Sequence, residues 1–166
     1  MRRVDVAAVR RVLAEEEEAK PDEWTGAYVG ERLVHAFRIL ARMPRVGHQA
    51  AFRRAVIEVL QDVFTEEFDL LQIKEPVVSR IRPTGRDIRL MEDALLWPMK
   101  YLPHDQIQRH GTMIWAHGVA RNFPAGRITA QANRRYALST KKFHEARMAG
   151  CRTIALSLRR DHVPIE

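Results

Sequence analysis

The chain has 166 residues, of which 46% are hydrophobic and 30% are charged, and its formal net charge is +7. This length fits a single domain whose core needs neither disulfides nor a metal. The single cysteine, Cys151, excludes a disulfide framework and a zinc site built on cysteines. No apolar run approaches the roughly 18 residues of a membrane span, and charges interrupt the first residues too early for a signal peptide. We therefore expect a cytoplasmic protein.

The positive charge is concentrated in the second half of the chain. Residues 1–75 carry 12 Lys/Arg and 14 Asp/Glu, whereas residues 76–166 carry 16 Lys/Arg and 7 Asp/Glu. Residues 121–160 hold ten basic side chains and one acid, Glu145. Such a basic segment is typical of proteins that bind a polyanion, above all nucleic acid. The alternative is a solvated surface in an arginine-rich proteome, since Arg outnumbers Lys 23 to 5.

The pattern along the chain predicts an all-α fold of six or seven helices. Residues 1–75 are predicted to form a helical part for assembly or interaction. Its three predicted helices run from Asp5 to just before Pro21, from Thr25 to Met43, and from His48 to Phe64. The second helix is the clearest, because Val29, Leu33 and Phe37 recur at a spacing of four and Pro44 stops it.

Residues 76–83, with two prolines, are predicted to be a linker to a second part, residues 84–166. Thr84 is expected to cap a helix that Trp97-Pro98 must end or kink. Pro103 fits the first position of the next helix, which would bury Ile107, Ile114 and Trp115 and end near His117.

Residues 125–160 have the pattern of a helix-turn-helix. A short helix from about Arg127 to Arg135 is followed by a three-residue connection and by a long helix that Ser139 caps. Ala132, Tyr136, Leu138, Phe143 and Ala146 are predicted to face inward. The motif usually has glycine at the centre of the turn, where this chain has Ala137. The alternative is two amphipathic helices joined by an ordinary loop.

On this register the first turns of the long helix face the DNA. Thr140 and Lys141 are expected to contact base edges, and the flanking basic residues to contact phosphates. The predicted DNA-contacting residues are Arg127, Arg134, Arg135, Ser139, Thr140, Lys141, Lys142, His144 and Arg147. Beyond them, Gly150, Ile154 and Leu158 continue an apolar stripe, so the helix either folds back on the core or pairs with another subunit.

Three blocks of the chain resemble an uncharacterised protein family of bacterial phages and prophages. The first is Glu23-Trp24-Thr25 with the segment 31–38 and Pro44, the second is the segment 88–97, and the third is the helix-turn-helix pattern. The resemblance implies DNA binding in a phage or bacterial cell, by a small terminase-like packaging subunit or a transcriptional regulator. It carries no catalytic residues over to this chain.

Other groups of reactive side chains do not form a pattern with a chemical role. His104, His110 and His117 are spaced by six and seven residues, whereas zinc ligands on a helix prefer three or four, so we expect surface or capping histidines. Cys151 has no companion histidine and is expected to be a half-buried thiol. We therefore predict no enzyme activity, no cofactor, no metal and no small-molecule substrate.

The sequence thus predicts a protein that binds double-stranded DNA. A lone helix-turn-helix rarely binds tightly, so we expect a homo-oligomer, either a dimer or a ring. The alternative is a helical scaffold or adaptor whose basic helices dock on an acidic protein.

Overall fold

The computed structural model describes residues 21–43 and 82–166, which contain five helices and no strand. The helices are α1 (Gly26–Arg42), α2 (Gly85–Tyr101), α3 (Gln106–Ala120), α4 (Ala125–Tyr136) and α5 (Thr140–Arg160). The all-α prediction is confirmed for this part of the chain. The helices predicted before Pro21 and from His48 to Phe64, and the linker as far as residue 81, lie outside the described residues.

Side chains at the helix starts explain where α1 and α2 begin. The Thr25 hydroxyl accepts a hydrogen bond from the Tyr28 backbone N–H at 3.1 Å. Thr84 and Asp87 form a reciprocal capping box, in which the Asp87 carboxylate accepts the Thr84 backbone N–H at 2.8 Å. These hydrogen bonds from the Thr84 backbone and hydroxyl hold the pKa of Asp87 below its usual value. The cap predicted at Thr84 is therefore present, and Thr25, predicted only as a helix start, also caps its helix.

Helix α2 passes through Pro98, and the helix start predicted at Pro103 is wrong. Helix α2 does not end at Trp97-Pro98 but continues to Tyr101, and the Pro98 carbonyl accepts the Leu102 N–H at 3.0 Å. Pro103 lies outside α3, which begins at Gln106 because the Asp105 carboxylate caps it. Buried Trp97 and Leu102 on either side hold the proline turn in the core, which offsets the lost helix hydrogen bond.

Helices α1, α2, α3 and α5 share one core, and α4 packs on α3 and α5. Residues on α1 (Leu33), α2 (Met91), α3 (Ile114) and α5 (Ile154, Leu158) are fully buried. The second half of α5 therefore folds back on the core, which was one of the two alternatives for its apolar stripe.

The end of the chain closes over the start of α1. The Trp24 indole N–H donates to the Val163 carbonyl at 2.8 Å, and the Trp24 ring meets Trp97 edge-on with centroids 5.2 Å apart. The Arg159 guanidinium pairs with the Glu23 carboxylate at 2.8 Å. The Trp24–Val163 and Glu23–Arg159 contacts link residues that are 139 and 136 positions apart in the sequence.

Helices α3 and α5 cross closely at Gly150. A Cβ at this position would overlap the Thr112 hydroxyl and lie 3.1 Å from the Gln108 carbonyl oxygen. Neither atom can move away easily, since one belongs to a β-branched side chain and the other to the helix backbone. The crossing therefore requires glycine.

We expect Gly150→Ala to lower the free energy of unfolding by about 1–3 kcal/mol, because overpacking of the crossing outweighs the helix propensity of alanine. Chemical denaturation followed by circular dichroism measures this. Gly126→Ala is the matched control, since nothing lies within 4 Å of the added carbon, and it should be neutral or stabilising. Equal stability of the two variants would contradict the close crossing.

Candidate nucleic-acid interface

Helices α4 and α5 meet at a three-residue connection, Ala137 to Ser139, which we call the α4–α5 corner. Ala137 has a left-handed backbone with φ of 51°, and its N–H donates to the Asn133 carbonyl at 2.8 Å. The Asn133 amide donates to the Leu138 carbonyl at 3.1 Å. The Ser139 hydroxyl caps α5 by accepting the Lys142 backbone N–H at 3.3 Å. Backbone and side-chain hydrogen bonds thus define the direction in which α5 leaves the corner.

Buried side chains hold the corner on the core. Leu138 in the connection and Phe143 in the first turns of α5 are buried, as are Ile128 and Ala132 on α4. Ile128 lies against the α3 backbone at Gly118. The predicted inward positions of Ala132, Leu138 and Phe143 are confirmed.

We expect Ala137→Gly to raise the free energy of unfolding by about 0.5–1 kcal/mol. A Cβ in the left-handed region costs energy that glycine avoids, and this outweighs the greater entropy that glycine adds to the unfolded chain. Ala130→Gly, at an exposed position within α4, is the control and should be destabilising by a similar amount. The two substitutions should therefore shift the denaturation midpoint in opposite directions, and a shared direction would contradict the assigned turn.

Six of the nine predicted DNA-contacting residues are exposed around this corner. They are Arg127 and Arg134 on α4, and Ser139, Thr140, Lys141 and Lys142 at the start of α5. The Lys141 side chain is 86% exposed and lies 3.9 Å from the Glu145 carboxylate, a surface pair of small energetic worth. Lysine charges and free backbone N–H groups of the first helical turn therefore face solvent together.

The other three predicted residues are partly buried. Arg135 lies over the Tyr136 ring at 5.5 Å. Arg147 stacks on Trp115 at 4.6 Å, and its Nε–H donates to His144 Nδ1 at 3.1 Å. His144 was predicted to point outward and Arg147 to contact phosphates. Instead, the Arg147 guanidinium packs on the Trp115 ring of α3. Their contact orients α5 on α3.

The predicted DNA-contacting residues include Arg127 but leave out Arg121, with which it forms a cluster at the Phe123 ring between α3 and α4. The guanidinium carbons of Arg127 and Arg121 lie 4.0 and 5.4 Å from the centre of the Phe123 ring. Burial, followed by repulsion from Arg127, lowers the pKa of Arg121 from its usual value. Because arginine remains protonated even when its pKa falls, both cations persist. The signal was present in the sequence as Arg-Asn-Phe-Pro-Ala-Gly-Arg, where an aromatic residue stands between two basic ones.

Two of the three α3-region histidines are buried, which corrects the expectation of surface or capping residues. His110 packs against α4, where its Nδ1 forms a hydrogen bond with the Tyr136 hydroxyl. His117 is 3% exposed and contacts Phe37 edge-on at 5.3 Å. Burial lowers the pKa of His117 to about 3, with a further contribution from Arg121. His117 is therefore a neutral core residue at physiological pH.

Cys151 is a buried thiol on the inner side of α5. Burial raises its pKa to about 11, although Arg147 and Thr112 act in the opposite direction. The thiol is therefore protonated near neutral pH and is a poor nucleophile. It serves packing between α5 and Gly30 of α1, whose added Cβ would lie 3.8 Å from the sulfur.

Residues 21–43 and 82–166 contain neither a candidate membrane-spanning helix nor a candidate metal site. None of the helices there combines the length and apolar character needed to cross a membrane. In the same residues, no three His, Cys, Asp or Glu side chains are grouped so that they could hold a metal ion. Comparison of the chain with protein-family models, with curated proteins and with solved structures gives no match.

Proposed function

We propose that this protein binds duplex DNA through the α4–α5 corner, used as a helix-turn-helix. The observation that carries the proposal is the exposed start of α5, where Lys141 and Lys142 stand beside a serine-capped helix terminus. Backbone N–H groups and cations at such a terminus attract phosphate. The buried anchors Leu138 and Phe143 position this terminus rigidly.

The residues divide into two groups by their position at the corner. Thr140 and Lys141, in the first turn of α5, would contact base edges in the major groove, since Lys can donate to guanine O6 and N7. Lys142 and the exposed arginines of α4, Arg127 and Arg134, would contact phosphates on either side. Phosphate contacts supply most of the affinity, so binding is expected to weaken steeply with salt.

The role in the cell follows from the resemblance to the phage and prophage family. We propose a phage-type DNA-binding protein that acts either as a small terminase-like packaging subunit or as a transcriptional regulator. The two roles are expected to differ in assembly, since a regulator would act as a dimer and a packaging subunit as a ring.

Binding of the full chain to duplex DNA tests the proposal. A gel-shift titration at several salt concentrations should show duplex binding with a negative slope of log K against log salt, and selection from a random duplex pool should reveal any preferred sequence. An acidic polypeptide such as polyglutamate is the competitor. If it displaces duplex as efficiently as unlabelled DNA does, and no footprint forms, the corner is an acidic-protein docking site and the DNA proposal is wrong.

A further inference from the structure

The outer face of α5 carries a stripe that the core and the corner do not use. Its members are Glu145, Met148, Arg152, Leu156 and Arg159, at spacings of three, four, four and three. Met148 and Leu156 are large apolar residues that remain 52% and 54% exposed. This spacing is that of a seam between two packed helices. We call these five residues the α5 stripe.

We propose that the α5 stripe pairs with the same stripe of a second copy, with the two α5 helices antiparallel. The stripe is symmetric about Arg152, since Glu145 and Arg159 each lie seven residues from it, and Met148 and Leu156 each lie four residues from it. A twofold axis at Arg152 therefore places Met148 of one copy against Leu156 of the other. It likewise places Glu145 of one copy against Arg159 of the other.

Charge complementarity selects the antiparallel arrangement. In a parallel pair in register, Glu145, Arg152 and Arg159 would each face their own copy, and all three charged contacts would be between like charges. The antiparallel pair converts the outer contacts into two Glu–Arg pairs and leaves Arg152 as the single like-charge contact. Within one chain, Glu145 already pairs with Lys141, and Arg159 pairs with Glu23. Both ion pairs are exposed and weak, so sharing these side chains with a second copy costs little free energy.

The length of α5 gives an independent argument, which rests on the proposed function. Thr140 lies twelve residues from Arg152, so at about 1.5 Å per residue each helix start is about 18 Å from the twofold axis. The two DNA-contacting helix starts would then be about 36 Å apart. This matches the spacing of about 34–36 Å between successive major-groove half-sites on one side of B-DNA.

The test measures the mass of the full chain in the absence of DNA, by light scattering after size exclusion and by sedimentation across a concentration series. We expect twice the 19.2 kDa chain mass. Met148→Glu with Leu156→Glu should weaken the dimer by at least about 100-fold. Leu96→Glu, at an exposed apolar position on α2, is the matched control and should leave the dimer unchanged. Circular dichroism establishes that each variant is folded.

Charge reversal tests the register of the pair. Glu145→Arg and Arg159→Glu should each weaken the dimer about tenfold, and the double variant should restore it, because the pairs re-form with opposite polarity. Glu23→Ala corrects for the ion pair that Arg159 makes within its own chain. Arg152→Leu should tighten the dimer, since it removes the like charges at the axis.

The outcomes separate this inference from the proposed function. A monomer at every concentration, an assembly larger than two chains, or a dimer that tolerates the Met148 and Leu156 substitutions would each overturn the pairing, even where duplex binding is found. A dimer that responds as expected but binds no duplex would leave the pairing standing and contradict DNA binding.

Discussion

Lys141→Ala combined with Lys142→Ala is expected to weaken duplex binding about 30-fold at physiological salt. The salt dependence of log K should also become shallower by about 0.9, because Lys142 is assigned to a phosphate and each phosphate contact contributes about 0.9 to the slope. Both side chains are exposed at the start of α5 and neither supports the core. The loss should therefore occur without a change in stability. Fluorescence anisotropy with a labelled duplex, repeated over a salt series, measures both quantities.

Arg86→Ala with Arg89→Ala is the charge-matched control for this experiment. These two arginines are exposed on α2, so their removal lowers the net charge by the same amount at a different place on the surface. The control should retain nearly full affinity if binding is localised to the α4–α5 corner. Equal losses in the two double variants would show that net charge alone drives binding and would contradict the assigned interface.

Acidification is expected to destabilise the fold through His117. Its folded-state pKa of about 3 lies below the ordinary value of 6.5 that applies in the unfolded chain. Below pH 6.5 the unfolded state therefore binds a proton that the native state excludes. The stabilising effect of the neutral side chain is complete above pH 6.5 and is lost as the pH falls toward 3. At 1.36 kcal/mol per unit, this group alone should lower the free energy of unfolding by about 2–3 kcal/mol between pH 6.5 and 4.5.

The variant His117→Gln separates titration from packing. Losing the ring contacts with Phe37 and Phe123 will lower stability at every pH, but the dependence on pH between 6.5 and 4.5 should become flatter than in the parent chain. His104→Gln, at an exposed position before α3, reports what an exposed histidine contributes. An unchanged slope in His117→Gln would show that another group controls the acid sensitivity.

Local interactions explain why much of the helical structure could be predicted. Caps form between residues three apart, so Thr84 and Ser139 could be identified as helix caps without information from distant parts of the chain. The apolar stripe of α1 and the inward residues of the α4–α5 corner follow from the helical period in the same way. Alanine in place of the usual glycine counted against the motif, yet Ala137 adopts the left-handed backbone of such a turn.

Contacts between distant residues explain where the sequence prediction failed. The sequence left open whether Trp97-Pro98 ends or kinks its helix, and α2 continues through Pro98 between the buried Trp97 and Leu102. Ile107 was expected to be buried but is 48% exposed, because the stretch 103–107, which leads into the first turn of α3, lies at the surface.

The linear chain on its own determines the helical class, the caps and the concentration of positive charge after residue 120, because each depends on residue type and on spacings of a few positions. Only the tertiary structure decides which charges remain at the surface. The Arg147 guanidinium packs on the Trp115 ring of another helix, and the core encloses His117 as a neutral ring. Burial and ring contacts depend on side chains brought together from separate helices. These surroundings decide whether a basic side chain stays exposed to a ligand or takes part in packing.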